Sequence, residues 1–225
     1  MEQYTCEAVY SDYFPFWKDL CGDDRDLLCR SSILMSYERG TNIHDGNECT
    51  GVIIVKSGCL RVYMLSEEGK EITLYRLFPG DVCILSASCV LHNITFDVFV
   101  DAEEDSDCYV IGGCAIANLS ERIPAVKIYA LEAALDSFSD VMWVMQQILF
   151  MSLDKRLAIF MLDEMSKTAS DTIRLTHEQI AKYIGSAREV VTRMLKYFAS
   201  EGIVDVTRKG IFVLDKRKLR ALAGE

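Results

Sequence analysis

The sequence has few features that would extend the chain, export it or anchor it in a membrane. Only three prolines and no low-complexity stretch are present, so we expect no disordered linker. The first twenty residues carry acids and aromatics but no apolar run, so we expect no secretory signal peptide. The most apolar window, 141–151, is 11 residues long and contains two glutamines, too short and too polar to span a bilayer. These absences predict a cytoplasmic protein without a membrane partner.

Motifs for catalysis and for metal binding are also missing. His44 stands alone where a cupin-type metalloenzyme would place two histidines and a glutamate. The sequence shows neither a nucleophile–base pair nor a phosphate-binding loop, so we expect no enzyme. The nine cysteines are odd in number and irregular in spacing, which is not typical of a disulfide framework.

Positive charge is scarce overall but concentrated at one end of the chain. The net charge is -10, yet residues 152–225 hold 14 basic and 10 acidic residues, a net charge of +4. Residues 1–151 therefore hold 10 basic and 24 acidic residues, a net charge of -14. Because nucleic-acid affinity depends on local neutralisation of phosphates, this asymmetry predicts a basic DNA-binding part attached to an acidic body.

Residues 175–196 have the pattern of a helix-turn-helix. Thr176 and Gln179 have capping-box spacing, and Gly185 can adopt the positive φ that ends a first helix. Ser186 and Glu189 repeat that spacing and predict the start of a second helix. We expect four side chains of this second helix to face inward: Val190, Met194, Leu195 and Phe198.

The outward residues of the second helix are suited to base recognition. Arg188, Glu189 and Arg193 lie near its N-terminus, the end that contacts base edges in such motifs. Arg donates two bonds to guanine, and Glu accepts from cytosine. The alternative is an ordinary solvated face held by helical salt bridges. The capped turn before these residues favours DNA recognition.

A wing follows the second helix. Residues 203–206 and 211–214 alternate like two strands, and 208–210 form a turn. This basic tip, with Lys209, is well placed to contact phosphate. The segment KRKLR at 216–220 could add to the contact or could be a solvated last helix.

Short β-rich segments between residues 40 and 111 are separated by glycine turns, which predicts an antiparallel barrel or jelly roll. The hairpin at 66–71 is the clearest turn. The predicted strands are 52–55, 60–65, 72–77, 94–100 and 108–111.

A long helix is predicted from Pro124 to Phe150, since this segment has no internal glycine or proline. Its apolar residues have heptad spacing, which favours a homodimer over a helix packed only on its own barrel. The seam consists of Ile128, Leu131, Leu135, Phe138, Met142, Met145 and Leu149.

The order of barrel, long helix and winged helix-turn-helix, together with the segments 52–85 and 186–206, resembles the Crp–Fnr family of bacterial transcription regulators. The resemblance covers nearly the whole chain. It implies an α+β fold with an effector-sensing β-roll at 1–123, a dimerisation helix at 124–151 and a winged helix-turn-helix at 152–225.

The family also implies site residues and partners. Arg188, Glu189 and Arg193 match its base-contacting Arg, Glu and Arg, and Thr192 matches a further base-contacting position. The implied partners are double-stranded DNA, a second copy of the chain and RNA polymerase. The positions that match phosphate contacts are Thr176, Ser186, Ala187 and Lys196.

The sensor half departs from the cyclic-AMP-binding members of the family. Neither their Gly-Glu pair nor their Arg-Ser pair follows Gly80-Asp81, and residues 77–121 contain no Lys or Arg. A buried phosphate would lack a counter-ion unless Lys127 of the long helix supplied one. We therefore expect a neutral or weakly polar ligand, or oxidation at Cys89, rather than cyclic AMP. The predicted pocket residues are Leu85, Ser86, Ser88, Cys89, Val141, Met142 and Met145.

No cofactor is assigned by these residues. Oxygen-sensing members hold an iron–sulfur cluster with closely spaced cysteines, whereas Cys6, Cys21 and Cys29 are widely spaced, so a cluster is unsupported. Haem ligation by His92 or Cys89 has no further support, and His44 and His92 are expected to be ordinary surface or core residues. Three other cysteines are expected to be buried small apolar residues: Cys83, Cys108 and Cys114.

Two functions follow from the sequence. The preferred one is a homodimeric, sequence-specific transcription regulator that binds an inverted repeat under control of a small-molecule or redox signal in the β-roll. The alternative is a ligand-binding regulatory module that acts without DNA, which would not need Arg188, Glu189 and Arg193.

Overall fold

The computed structural model describes residues 3–87, 90 and 96–225. These residues form two compact units: Met1–Leu65 with Leu74–Val141, and Ser66–Thr73 with Met142–Glu225. The order of the elements confirms the predicted α+β class, with antiparallel sheets first, then a long helix and then the helix-turn-helix region. The division into three domains at 123 and 151 stays a prediction.

Two four-stranded sheets form the centre of the first part of the chain. Their orders are β1-β8-β3-β6 and β2-β7-β4-β5. The strands are β1 Ser32–Tyr37, β2 Asn42–His44, β3 Val52–Ser57, β4 Leu60–Leu65, β5 Glu71–Leu77, β6 Val82–Cys83, β7 Phe99–Ala102 and β8 Ser106–Ile111. The pairing of β3 with β8 is antiparallel and places Val52 opposite Ile111. This arrangement confirms the predicted antiparallel roll.

The sequence of β3 explains its central place. Val52, Ile53, Ile54 and Val55 are all buried, as expected for a strand covered on both faces. The preceding Gly51 has a φ of +101°, and a Cβ there would lie 2.1 Å from the carbonyl oxygen of Ile111. Only glycine permits this close approach of the two backbones.

Some predicted strands are wrong in extent, and others were missed. The segment 94–100 was predicted as one strand, but Phe96–Val98 are not in a strand and β7 begins at Phe99. Residues 94 and 95 lie outside the described part of the chain. The edge strand β1 was missed because three consecutive apolar residues, Ile33, Leu34 and Met35, do not alternate with polar ones as in a half-buried strand. All three side chains are exposed.

Three helices precede the first strand of the first unit. They are α1 Gln3–Tyr13, a 3₁₀ helix Pro15–Asp19, and α2 Gly22–Arg30. A disulfide between Cys6 and Cys29 joins α1 to α2, with their Cα atoms 5.9 Å apart. Cys49 is also disulfide-bonded. The sequence did not predict these bonds, because spacing along the chain does not report which cysteines the fold brings together.

Aromatic packing connects these helices to the rest of the unit. The ring of Phe14 stacks on that of Tyr10 at 5.6 Å and meets that of Tyr129 edge-on at 5.4 Å. Tyr10 also meets Tyr109 of β8 edge-on at 6.0 Å. Aromatic pairs at these distances add to the apolar burial that holds the first unit together.

The long helix has the predicted bounds. After α3, Gly113–Arg122, the helix α4 runs from Pro124 to Phe150. The seam residues are between 43% and 64% exposed, whereas Val126 and Ala130 are buried. The described helices include none with the length and apolar character needed to cross a membrane.

The second unit contains a small core of helices with a three-stranded sheet ordered β10-β11-β9. Its core includes Leu157, Met161, Val191 and Phe198, each fully buried. After the end of α4, its elements are α5 Leu153–Thr168, β9 Thr172–Ile173, α6 His177–Tyr183, α7 Arg188–Ser200, β10 Val204–Thr207, β11 Gly210–Val213 and α8 Lys216–Ala223.

Candidate nucleic-acid interface

The first helix of the predicted motif is capped as the sequence indicates. Thr176 is the N-cap of α6, and its hydroxyl accepts a hydrogen bond from the Gln179 amide at 3.1 Å. The Gln179 side chain accepts a bond from the Thr176 amide at 2.9 Å. This reciprocal pair confirms the capping box and fixes the start of α6.

The turn between the two helices contains a glycine with positive φ and accepts a hydrogen bond from α5. Gly185 has a φ of +60°, as predicted, and a Cβ there would lie 3.0 Å from Ile148. Arg156 of α5 donates from Nη1 to the carbonyl oxygen of Ile184 at 2.8 Å. The sequence did not predict this bond of Arg156, because a contact across 28 positions leaves no local spacing signal. The bond satisfies a carbonyl at the C-terminus of α6.

The start of the second helix differs from the prediction. Ala187 is the N-cap of α7 and makes no side-chain capping bond, so the predicted Ser186–Glu189 capping box is wrong. Residue spacing alone does not set the backbone angles that such a box requires. The side chains of α7 are nevertheless strongly segregated. The buried residues of α7 are Val191, Leu195 and Phe198. Val190 and Met194 are only partly buried.

The predicted base-contacting residues lie on the opposite face of α7. Arg188, Glu189 and Arg193 are exposed, and all three lie within the first two turns of the helix. Two guanidinium groups and one carboxylate therefore face solvent at the end of the helix that enters the groove in such motifs. Thr192 lies between them and is partly buried.

Thr192 is engaged in bonds that the sequence did not predict. Its Oγ1 lies 2.8 Å from the carbonyl oxygen of Arg188 and 2.9 Å from Nδ1 of His177, the first residue of α6. Burial and the nearby Arg188 guanidinium lower the pKa of His177. The pairing of His177 with Thr192 spans 15 positions and has no signal in local sequence.

The predicted phosphate-contacting residues lie at the start of α6, on α7, in the turn between these helices and on the wing. Thr176, Ala187 and Lys196 are exposed, and Ser186 is partly buried. The wing is an antiparallel hairpin in which Val204 faces Val213, with exposed Arg208 and Lys209 at its tip.

The basic segment 216–220 belongs to α8. Asp215 caps this helix by accepting bonds from the amides of Arg217 and Lys218, both at 3.0 Å. Leu219 is buried, while Arg217, Lys218 and Arg220 are exposed. The predicted last helix is confirmed, and a contact of its exposed basic face with DNA stays a prediction.

The first unit contains a cavity of about 450 Å³. Tyr75, Tyr129 and Arg76 line it together with four carboxylates, those of Asp81, Glu132, Asp136 and Asp140. None of the predicted pocket residues lines this cavity, and Ser88 and Cys89 lie outside the described residues. Ser86 is fully buried and donates to the carbonyl oxygen of Gly51 at 2.7 Å, so its hydroxyl is already bonded.

The structure tests the predicted burial of three cysteines and the expectation for His44. Cys83 and Cys108 are buried as predicted, and burial raises the pKa of both thiols, that of Cys108 to about 12. Cys114 is exposed, so its predicted burial was wrong. His44 is a core residue whose Nδ1 lies 2.8 Å from the Thr50 hydroxyl, and burial lowers its pKa. His92 lies outside the described part of the chain.

Comparison with known proteins agrees with this geometry. Residues 155–222 match the family model of a Crp-like helix-turn-helix domain, and residues 34–122 match that of a cyclic nucleotide-binding domain. A crp/fnr-family transcriptional regulator from Eubacterium rectale has a crystal structure that superimposes with a TM-score of 0.91. It is 45% identical, and the match covers 95% of this chain and 100% of that one. The chain belongs to the Crp/Fnr family.

More distant relatives agree with this placement. The transcriptional activator protein anr of Pseudomonas aeruginosa is 25% identical over 187 residues, which is 80% of this chain and 75% of that protein. FixK2 from Bradyrhizobium japonicum, at 18% identity, has the same fold with a TM-score of 0.68, covering 85% of this chain and 96% of that one. Crp/Fnr proteins are transcription regulators rather than enzymes, and residues 155–222, which match the helix-turn-helix model, are the DNA-binding domain of this regulator.

Proposed function

We propose that the protein binds an inverted-repeat operator as a homodimer and reads G·C pairs in each half-site. The exposed set of Arg188, Glu189 and Arg193 at the start of α7 is the observation that carries this proposal. An arginine that is free to approach a base can form two bonds to guanine, and a glutamate can accept from cytosine. Two recognition helices related by a two-fold axis would meet half-sites about one helical turn apart.

The homodimer is supported by α4. Its seven seam residues repeat with heptad spacing and are 43% to 64% exposed in the single chain. A second copy of the same helix would cover them, because a two-fold interface pairs the same surface with itself. RNA polymerase is the further partner that we propose, as expected for a regulator of transcription.

The signal that we propose acts on the β-roll. Residues 77–121 contain no Lys or Arg, and at the cavity four carboxylates outnumber the Arg76 guanidinium, which opposes a phosphate ligand such as cyclic AMP. A neutral or weakly polar ligand, or a redox event at cysteine, fits better. The Cys6–Cys29 disulfide supports the redox branch, since disulfides in cytoplasmic proteins are commonly redox-active. The proposed effect is a population shift in which Leu153–Arg156 acts as a hinge that sets the spacing of the two recognition helices.

The operator proposal is tested by selection from a random DNA library, followed by competition binding with single-base variants of the selected site. Arg188→Ala should lose roughly 1–3 kcal/mol of discrimination at one G·C pair. Lys196→Ala is the matched control, because loss of a phosphate contact should weaken all sequences alike. Equal weakening of operator and random DNA by Arg188→Ala would contradict the assignment.

The sensor proposal is tested by calorimetric titration of the full chain with cyclic AMP. We expect no binding heat at millimolar nucleotide, because the pocket would have to bury a phosphate beside carboxylates. A saturable isotherm that also strengthens operator binding would show that a cation outside 77–121, such as Arg76 at the cavity or Lys127, holds the nucleotide.

A further inference from the structure

The bonds around Thr192 fix the protonation of His177. The Arg188 carbonyl can only accept a hydrogen bond, so the Thr192 hydroxyl, 2.8 Å away, donates its proton there. A hydroxyl has one proton, so the contact of 2.9 Å between Thr192 Oγ1 and His177 Nδ1 requires that Nδ1 be the donor. The neutral ring therefore carries its proton on Nδ1, and its Nε2 is an acceptor.

This tautomer matters because of where His177 lies. His177 is the first residue of α6, partly buried, and its ring is held against the outer face of α7 beside Arg188. In a helix-turn-helix the first helix crosses the DNA backbone while the second enters the groove. A residue held between the two would lie near phosphate oxygens, which can only accept hydrogen bonds. A neutral ring with an unprotonated Nε2 cannot donate to them.

We propose that His177 contacts a backbone phosphate through Nε2 as an imidazolium, so that operator binding takes up a proton at each half-site. This inference rests on the proposed DNA binding and names a residue that couples it to pH. Thr192 holds the ring in place from the recognition helix, and the same ring position serves both protonation states because Nδ1 donates in each.

The charges around the ring determine the direction of the coupling. Burial and the Arg188 guanidinium of α7 lower the pKa of His177 below its ordinary value of 6.5, which favours the neutral ring in the free protein at pH 7. Further charged residues of the two helices are Glu178 and Lys182 of α6 and Glu189, Arg193 and Lys196 of α7, and Lys182 is paired with Glu71 at 2.9 Å. Bound DNA adds phosphate charges that offset Arg188 and raise the pKa. The contribution of protonated His177 to operator affinity is fully present below the His177 pKa of the free protein. It is lost as pH rises through the His177 pKa of the complex.

The test measures operator affinity of the full-length dimer from pH 5.5 to 8.0 at constant ionic strength. Affinity of the wild type should fall about three- to tenfold between pH 6 and pH 8, a slope that a single linked proton per half-site permits. Calorimetry at pH 7 in buffers of different ionisation enthalpy should show uptake of protons on binding. Thermal unfolding at each pH separates this effect from loss of the fold.

Two substitutions separate the roles of the two ring nitrogens. His177→Asn keeps a donor near Thr192 but cannot titrate, so its affinity should match that of the wild type at pH 8 and no longer rise as pH falls. His177→Lys supplies a permanent cation, so its affinity should stay high at pH 8. His92→Gln, which removes another of the three histidines, should leave the wild-type profile unchanged.

The outcomes distinguish this inference from the proposed function. Specific operator binding without proton uptake, or the same pH profile in the wild type and in His177→Asn, would overturn the role of His177 and leave the regulator intact. Failure of the wild type to select any operator at any pH would overturn both.

Discussion

At the scale of single residues, Thr192 has a restricted role in base recognition. Its hydroxyl proton is used by the Arg188 carbonyl, and its oxygen accepts from His177. The Thr192 hydroxyl therefore has no proton to donate to a base. The methyl group of Thr192 is the part of the side chain that remains for contact with DNA. An apolar contact of this kind distinguishes thymine by its methyl group.

Two substitutions test this role. Thr192→Val keeps a methyl group and should retain the preference for a T·A pair at the contacted position. Thr192→Ser removes the methyl group and should lower that preference by roughly 0.8 kcal/mol, the burial energy of one such group. Competition binding with each base pair at that position measures both variants. Loss of the preference in Thr192→Val and its retention in Thr192→Ser would show that the hydroxyl contacts the base.

At the scale of elements, the predictions succeeded where the signal is local. The Thr176–Gln179 box and the bounds of α4 depend on residues a few positions apart, or on an unbroken helical pattern, and both were correct. The start of α7 was predicted wrongly from the spacing of Ser186 and Glu189, since Ala187 is the N-cap. The contacts of Arg156 with Ile184 and of His177 with Thr192 could not be predicted. Their partners are 28 and 15 positions apart, and local sequence patterns do not report such contacts.

The seam of α4 gives a prediction at the same scale. Replacing Leu135 and Met142 by glutamate should convert the dimer to a monomer, because unpaired charges in an apolar interface are strongly unfavourable. Light scattering at micromolar concentration measures the mass. Leu214→Glu is the matched control, since Leu214 is 62% exposed and lies outside α4. A double variant that stays dimeric would place the interface elsewhere.

At the scale of the whole molecule, a disulfide joins two N-terminal helices through Cys6 and Cys29, which are 23 positions apart. Such a cross-link lowers the entropy of the unfolded chain and is typically worth about 2–4 kcal/mol. Cys6→Ala should lower the free energy of unfolding of the first unit by about this amount, and reduction by dithiothreitol should lower it further because it also breaks the disulfide of Cys49. Urea denaturation with and without reductant measures the difference.

Cys21→Ala is the control for the disulfide, since Cys21 is exposed and carries a free thiol. Its stability should respond to reductant as the wild type does. If Cys6→Ala still responded fully to reductant, another cysteine pair would be responsible. Operator affinity measured in the same samples shows whether reduction also reaches the DNA-binding surface.

The exposed face of α4 also has a consequence for how many copies of the regulator a cell requires. In the proposed dimer, folding and association are linked, so the unfolding midpoint rises with protein concentration. Only paired chains would hold two recognition helices, so at low abundance operator occupancy would rise with about the square of the number of chains. A modest change in synthesis would then produce a larger change in occupied operators, even without any signal in the β-roll.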